Sequence, residues 1–392
     1  MTAVPILVTD GHLRPALAVV RSLGRAGYAV HVCAEHRLSI AGASRYAVSH
    51  AVVPNSLAKH QAFVDAVAAK AREVQAKLVL PISDESMLAL LPAASRIMPA
   101  KIPFAQIDVF RTAADKAHVL NLASTLGMAT PEQLRLDSPA AASSFDYEAV
   151  PLPIVVKPAR SVAGTGAGAI KLGVRYAQTP RELEGIVREM PEGAFPLLLQ
   201  RRIRGAGTGV FLLVWGGKTV ARFAHRRIRE KPPSGGVSVC AESVEADSTT
   251  VAQAEALLAA LNWCGPAMVE FKEDAQSGVR YLMEINGRFW GSLQLAIDAG
   301  VDFPALLVGA ALGRPLSPPP HYTVGLRERW WWGEVDHLIA RLRSERNDTA
   351  LPSLGKAVWD FLVNRSRAQN EVFRRDDPWP AIVESVAWVR GR

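Results

Sequence analysis

The first 110 residues alternate short apolar runs with helical segments, and this rhythm restricts the start of the chain to an open parallel sheet flanked by helices. Pro5–Val8 is a short apolar run, followed by the turn residues Thr9-Asp10-Gly11. Pro15 to Ala26 has helical spacing, and Gly27 closes it. Tyr28–Ala34 reads as the next strand, Val52–Val53 as a short one, and Ser56–Glu73 as a helix. Leu78-Val79-Leu80-Pro81 is another buried run, with a helix starting near Asp84.

The rhythm then changes. A helix over Ala114–Leu126 and a loop-like, Ala/Ser-rich stretch at Ser138–Ser144 lead to strands joined by glycine-rich turns. These are Ile154–Lys157, Ala169–Leu172, Leu197–Gln200, Val210–Trp215 and Thr219–His225. The helix Thr249–Leu261 and the strands Ala267–Lys272 and Arg280–Ile285 complete an α+β segment. Pro315 to Pro320 reads as a stiff link. Beyond it lie Trp330-Trp331-Trp332 and two or three amphipathic helices. The expected division is an open α/β domain over 1–110, α+β lobes over 111–195 and 196–315, and a mostly helical extension over 316–392. The tryptophan run suits packing of those helices onto the body better than a lid or an oligomer contact, and a homo-oligomer is left open.

At 392 residues, 49% hydrophobic and 21% charged, the composition is globular. No segment reaches the roughly 18 uninterrupted apolar residues of a membrane helix. The start lacks a basic n-region, so no signal peptide and no membrane partner are expected. Cys33, Cys240 and Cys264 are odd in number and far apart, which suits neither a disulfide framework nor a cysteine zinc site, and a reducing cytoplasm is expected. Part of the net charge of +8 sits in the run His225–Lys231 and part around Arg341, Arg343, Arg374 and Arg375. No zinc finger, RNA-binding signature or basic stripe interleaved with aromatics accompanies it. Small anionic ligands are therefore expected, and nucleic acid is not.

The chemistry concentrates in MVEFKED and RYLMEINGRFWGS, each with a carboxylate late in a strand. Adjacent strands lie about 4.8 Å apart, so Glu270 and Glu284 can converge, and Asn286 shares the face of Glu284. Two carboxylates and an amide oxygen form a hard site suited to Mg²⁺ or Mn²⁺ bridging phosphates. An ordinary hairpin with acidic positions facing water is the competing reading. Upstream, Lys157 ends a strand before Ser161, Gly164, Thr165, Gly166 and Gly168, a loop whose backbone N–H groups can fold over phosphates, although glycines also mark any tight turn.

The pattern Glu-x-Asn followed by Arg288, with Glu270 upstream, resembles the metal motif of the ATP-grasp enzymes, in the branch related to the carbamoyl-phosphate synthase large subunit. The resemblance covers roughly Arg111 to Leu312. It implies an α/β N-terminal domain followed by α+β ATP-grasp domains, with ATP and Mg²⁺ (or Mn²⁺) as cofactors. Glu270, Glu284 and Asn286 become metal ligands, and Arg288 steadies the transferred phosphoryl group. Lys116, which alone would read as a surface lysine, matches the family's earlier phosphate-contacting lysine. The stretch Pro196–Ile203 matches the hinge that receives adenine, with Gln200 at the exocyclic amine and Arg202 and Ile203 beside it. Arg201 departs from the acidic residue common there, which leaves the ribose contact unassigned.

For the acceptor, Arg226 and Arg227 and the loop bearing Ser234, Gly235 and Gly236 can approach a carboxylate or acyl phosphate, or else form an exposed hairpin tip. Ser292 either lines that pocket or only caps a helix. Asp84-Glu85 and Thr9–His12 sit where open α/β sheets place ligands, and capping accounts for Asp84 equally well. The implied activity is ATP-dependent joining of a carboxylate to an amine through an acyl phosphate. A carboxylase, a small-molecule kinase of the same fold and a non-catalytic nucleotide-binding subunit are the alternatives.

Overall fold

The computed structural model describes residues 3–165, 168–233, 235–319, 321–343, 353–363 and 368–391. Its first sheet has four parallel strands in the order Ala47–Val52, Ala29–Ala34, Pro5–Val8, Leu78–Leu80. The central strands are apolar except for His31, because helices cover both faces. Ile6 and Val8 pack with Leu17, Val20 and Leu23 of the helix Arg14–Arg25. Leu7, Cys33 and Val79 face Phe63, Val64 and Val67 of the helix His60–Glu73. The edge strand Ala47–Val52 is longer than the expected Val52–Val53, and two of its six residues, Val48 and Val52, are exposed.

Asp10 ties together the ends of the adjacent strands Pro5–Val8 and Leu78–Leu80. It holds a left-handed backbone (φ 58°), and its carboxylate accepts from the backbone N–H of Ile82 (3.1 Å) and Ser83 (3.2 Å) and from the hydroxyl of Ser86 (2.6 Å). Ser83 in turn caps the helix Asp84–Leu90 by accepting from Ser86 N at 3.1 Å. The turn that presents Asp84 and Glu85 is thus fixed from inside the sheet.

The helix expected over Ala114–Leu126 is broken at Asp115 into Ile107–Ala114 and Lys116–Thr125. Asp115 adopts an extended backbone and caps the second helix, accepting from His118 N at 3.1 Å. A four-stranded antiparallel sheet follows, in the order Gln133–Leu136, Leu197–Arg201, Ile154–Pro158, Arg175–Ala177. The stretch Ser138–Ser144 holds a short helix, Pro139–Ser143, capped by Ser138. The glycine-rich segment after Lys157 is a separate two-stranded hairpin, Val162–Thr165 against Gly168–Lys171.

The third sheet has seven strands, in the order Arg280–Asn286, Gly265–Glu273, Gly207–Trp215, Lys218–Lys231, Val237–Ser243, Arg327–Arg329, Gln369–Asn370. The segment 314–319 has no helix or strand, and Pro320 lies outside the described residues. The C-terminal part contains the helices Trp331–Arg343, Leu354–Val363 and Trp379–Arg390, and also supplies the last two strands of this sheet. Trp332 stacks on Trp388 at 3.9 Å, and Trp330 donates its indole N–H to Glu384 at 2.7 Å, so the tryptophan run packs these helices together. Among the described residues no helix is long and apolar enough to cross a membrane.

Buried charge straps the C-terminal part onto the first sheet. The guanidinium of Arg21 meets Asp377 at 2.9 Å, both groups being almost entirely shielded from solvent, and it also donates to the carbonyls of Glu371 and Val372. Asp377 further accepts from Ser44 Oγ (2.7 Å) and Arg45 N (2.9 Å). Removing one partner of such a pair leaves the other charged and unsolvated. Asp377→Ala is therefore expected to cost about 3 to 5 kcal/mol, read as a lower urea midpoint. A loss below about 1 kcal/mol, the scale of a surface pair, would show that the strap is dispensable.

Candidate active site

The strands Gly265–Glu273 and Arg280–Asn286 pair so that Glu270 lies directly opposite Glu284, and Asn286 opposite Met268. Around that register a chain of polar contacts runs across three elements. Glu284 meets the Lys116 ammonium at 3.2 Å and accepts from the Asn286 amide at 3.1 Å. Asn286 Oδ1 accepts from Arg288 at 3.1 Å, and Arg288 in turn pairs with Asp84 at the start of the helix Asp84–Leu90 at 2.9 Å. Lys116 also donates to Ser161 Oγ at 2.9 Å, at the start of the glycine-rich hairpin. Lys157 reaches over from the four-stranded sheet, its Nζ 3.8 Å from the sulfur of Met283.

The charges of this group are strongly coupled. Burial alone would raise the Glu284 carboxyl, but the Lys116 and Lys157 ammonium groups overcome it and bring the pKa down to about 2. Lys157 moves the other way: burial, with Lys116 nearby, lowers it to about 8 despite the attraction of Glu284. Burial also works against the charge on Arg288, but Asp84 more than compensates and raises its pKa.

Glu270 behaves differently from Glu284. Both of its oxygens are taken by Arg227, with contacts of 2.8 and 2.6 Å, and the same guanidinium reaches Glu230 at 2.9 Å. Burial raises the Glu270 carboxyl, with Glu284 adding to the shift and Arg227 opposing it.

These side chains line a cavity of about 340 Å³, within the size range of small-molecule sites. Its far end is the stretch Gln200–Ile203, where Gln200 is buried and donates to Gln133 at 2.7 Å. Arg202 lies over the ring of Tyr176 at 5.1 Å, and Lys272 donates to the carbonyl of Ile203 at 3.4 Å. The near end is formed by His225, Trp290, Gly291 and Ser292. A second cavity of about 620 Å³ lies beneath the glycine-rich hairpin, is lined by Lys116 and Ser161, and shares Glu284 and Asn286 with the first.

A family model described as ATP-grasp in the biosynthetic pathway with Ter operon matches residues 194–332. No curated protein sequence matches the chain. Solved structures similar to it include an L-amino acid ligase from Bacillus licheniformis (17% identity, 79% of this chain and 75% of that one, TM-score 0.61). A biotin carboxylase from Campylobacter jejuni is similar over 82% of this chain and 74% of that one, at 15% identity and a TM-score of 0.62. An N5-carboxyaminoimidazole synthetase from Staphylococcus aureus is similar over 83% and 80%, at 12% identity and a TM-score of 0.61. The chain has the ATP-grasp fold.

Within this fold the residues singled out from sequence do not all meet. Lys157, Glu270, Glu284, Asn286 and Arg288 line the first cavity together with Gln200, Arg202 and Ile203, while Lys116 and Ser161 line the second, which Glu284 and Asn286 also border. Arg226 does not join them. Neighbouring positions on a strand face opposite ways, so with Arg227 turned inward Arg226 is exposed and pairs with Glu242 at 3.0 Å. Ser292 precedes the helix Leu293–Asp298 without capping it, and its hydroxyl lies 3.1 Å from His225 Nδ1. Gly235 and Gly236 line the cavity; a side chain on Gly236 would run into the Lys231 carbonyl at 2.4 Å. Gly164 lies in the hairpin strand Val162–Thr165, which Thr165 ends. Gly166 and Ser234 lie outside the described residues.

A hard cation fits the donor set. Glu284 and Glu270 face each other across one strand pair with an amide oxygen beside them, and one oxygen of Glu270 must then be released by Arg227. Among the described residues no three His, Cys, Asp or Glu side chains converge as a preformed metal cluster. Phosphate and water oxygens would therefore complete the shell.

Several cavity residues were not singled out from sequence. His225, fully buried, has its pKa held well below the usual value by that burial and by Arg227, so its imidazole is neutral. His225 Nε2 and Trp290 Nε1 have no hydrogen-bond partner among the described residues, and a ligand at this end of the cavity would supply one. The alternation of His225 and Arg227 along the strand Lys218–Lys231 is the signal that could have marked His225. Tyr176 and Glu230 carry no comparable mark.

Proposed function

We propose that the protein uses Mg²⁺ and ATP to phosphorylate a carboxylate, and that a nitrogen nucleophile then displaces phosphate to form a C–N bond. The observation that carries this reading is the Glu284 carboxylate, kept ionised between Lys116 and Lys157, with Glu270 opposite it and Asn286 and Arg288 following. Phosphoryl transfer asks little of a protein beyond position and charge neutralisation, and this group offers both signs of charge within one cavity.

In this reading the stretch Gln200–Ile203 receives adenine, and Lys116, Lys157 and the hairpin Val162–Lys171 take the phosphates. Bound Mg²⁺ would be held by Glu270, Glu284 and Asn286, and it supplies charge neutralisation between phosphate oxygens. Arg288 faces the transferred group. Arg227, Gly235, Gly236, Ser292 and His225 surround the acceptor carboxylate. The neutral His225 adds no charge, leaving Arg227 and Arg288 to attract an anion. Closure of the hairpin keeps water from the acyl phosphate.

The similar structures include both an amino acid ligase and two carboxylating enzymes, so bicarbonate belongs among the carboxylates to be tried. The test is a matrix of carboxylates, bicarbonate included, against amines with Mg²⁺-ATP, scored for ADP, phosphate and product. ADP and phosphate appearing only when both partners are present is the expected result. A stable phosphorylated product would favour a kinase instead, and no ADP with any pair would remove the catalytic reading.

A further inference from the structure

The adjacent carboxylates Asp84 and Glu85 stand at the start of the helix Asp84–Leu90, and they reach two different parts of the phosphate site. Asp84 pairs with Arg288 at 2.9 Å, in a contact where both side chains are largely buried. The same Arg288 nitrogen donates to Asn286, and the other terminal nitrogen donates to the Phe289 carbonyl at 3.1 Å, so Asp84 and Asn286 together fix one end of the guanidinium. Glu85 pairs with Lys171 at 2.8 Å, on the returning strand of the glycine-rich hairpin. That hairpin touches the first sheet again where Ala169 N donates to the Leu57 carbonyl at 3.3 Å.

The base beneath this carboxylate pair is rigid. Asp10 accepts from Ser83 and Ser86, which carry the helix start, and Asp10 itself is buried at the end of a central strand. A helix cap alone would explain one acidic residue here, but Ser83 already supplies the cap. Both carboxylates are instead spent on cations from other parts of the chain.

We propose that Asp84 is a positioning residue for Arg288 and that Glu85 fastens the glycine-rich hairpin, so that the first sheet sets the geometry on both sides of the transferred phosphoryl group. This rests on the nucleotide reading above. Arg288 held at two points has little rotamer freedom left to lose when it meets a phosphoryl group. Without Asp84 it keeps its charge but not its aim.

The test uses the full chain, with Mg²⁺-ADP and the Mg²⁺ complex of the β,γ-imido analogue of ATP as probes in calorimetry. Wild type is expected to bind both and to favour the analogue. Asp84→Asn is expected to bind ADP within about twofold of wild type while losing about tenfold of the preference for the analogue, the scale of one charge-assisted contact. Asp84→Glu, which keeps the charge, should restore part of that preference. Glu85→Gln should leave ADP binding intact and speed amide hydrogen exchange over 168–171. A purely structural role for Asp84 would weaken both nucleotides equally alongside a lower melting temperature, and that outcome overturns the proposal. So does an Asp84→Asn variant that discriminates like wild type. If wild type binds neither nucleotide, the nucleotide reading itself fails and this proposal falls with it.

Discussion

Glu284→Gln is expected to lower ATP turnover by about a hundred- to a thousandfold, because it removes the one carboxylate held ionised at the centre of the lysine pair. The substitution is nearly isosteric, so the fold should survive and the melting temperature should move little. A second measurement separates loss of charge from loss of shape. In wild type, Glu284 neutralises Lys116 and Lys157; in the variant both cations face the cavity without it. Metal-free ADP should then bind no more weakly than to wild type, while the Mg²⁺ complex loses its advantage. Wild-type turnover by Glu284→Gln would remove Glu284 from the reaction. Because its pKa lies near 2, the defect should be the same at every pH where the protein is folded.

Lys157→Met is the second large effect, with Mg²⁺-ADP expected to bind about ten- to a hundredfold more weakly, as for loss of a charge-assisted contact to phosphate. Its pH dependence follows from burial. The free protein loses the Lys157 proton near pH 8, below the ordinary range for lysine, whereas bound phosphate favours the charged form. Above pH 8, binding must therefore take up a proton, and wild-type affinity should fall as pH rises, with a limiting slope of about tenfold per unit. Below pH 7 it should be flat. In Lys157→Met the decline should disappear, and persistence of the same slope would assign it to another group.

Much of the fold was legible because burial leaves a plain mark on sequence. Pro5–Val8 and Leu78–Leu80 are apolar on both faces, which only a strand covered by two layers requires. The two acidic strands were legible too, since residues flanking Glu284 alternate in polarity. What escaped has no side-chain mark. The first strand of the glycine-rich hairpin, Val162–Thr165, reads as a loop because glycine marks turns as readily as strands, whereas its partner is read as the strand Ala169–Leu172. Val237–Ser243 reads as part of a loop, and the strands Arg327–Arg329 and Gln369–Asn370 are too short to show a period.

Within the site, the outward position of Arg226 follows from strand alternation once Arg227 points inward, because neighbouring strand residues face opposite ways. The Arg227–Glu270 contact could not be read, since it depends on the register of three strands. The pairing of Asp84 with Arg288 joins segments separated by most of the chain, and capping was a sufficient explanation until the partner came into view.

The Arg21–Asp377 strap has a consequence for where this molecule can be cut. A chain stopped at Trp332, where the family match ends, would retain every side chain proposed to touch nucleotide. It would nevertheless leave Arg21 buried without its carboxylate, Arg14 without Glu371, and Arg229 without Glu334. The end of the family match is therefore not a boundary of independent folding. In this protein the divergent tail is the part that makes the common core a finished object.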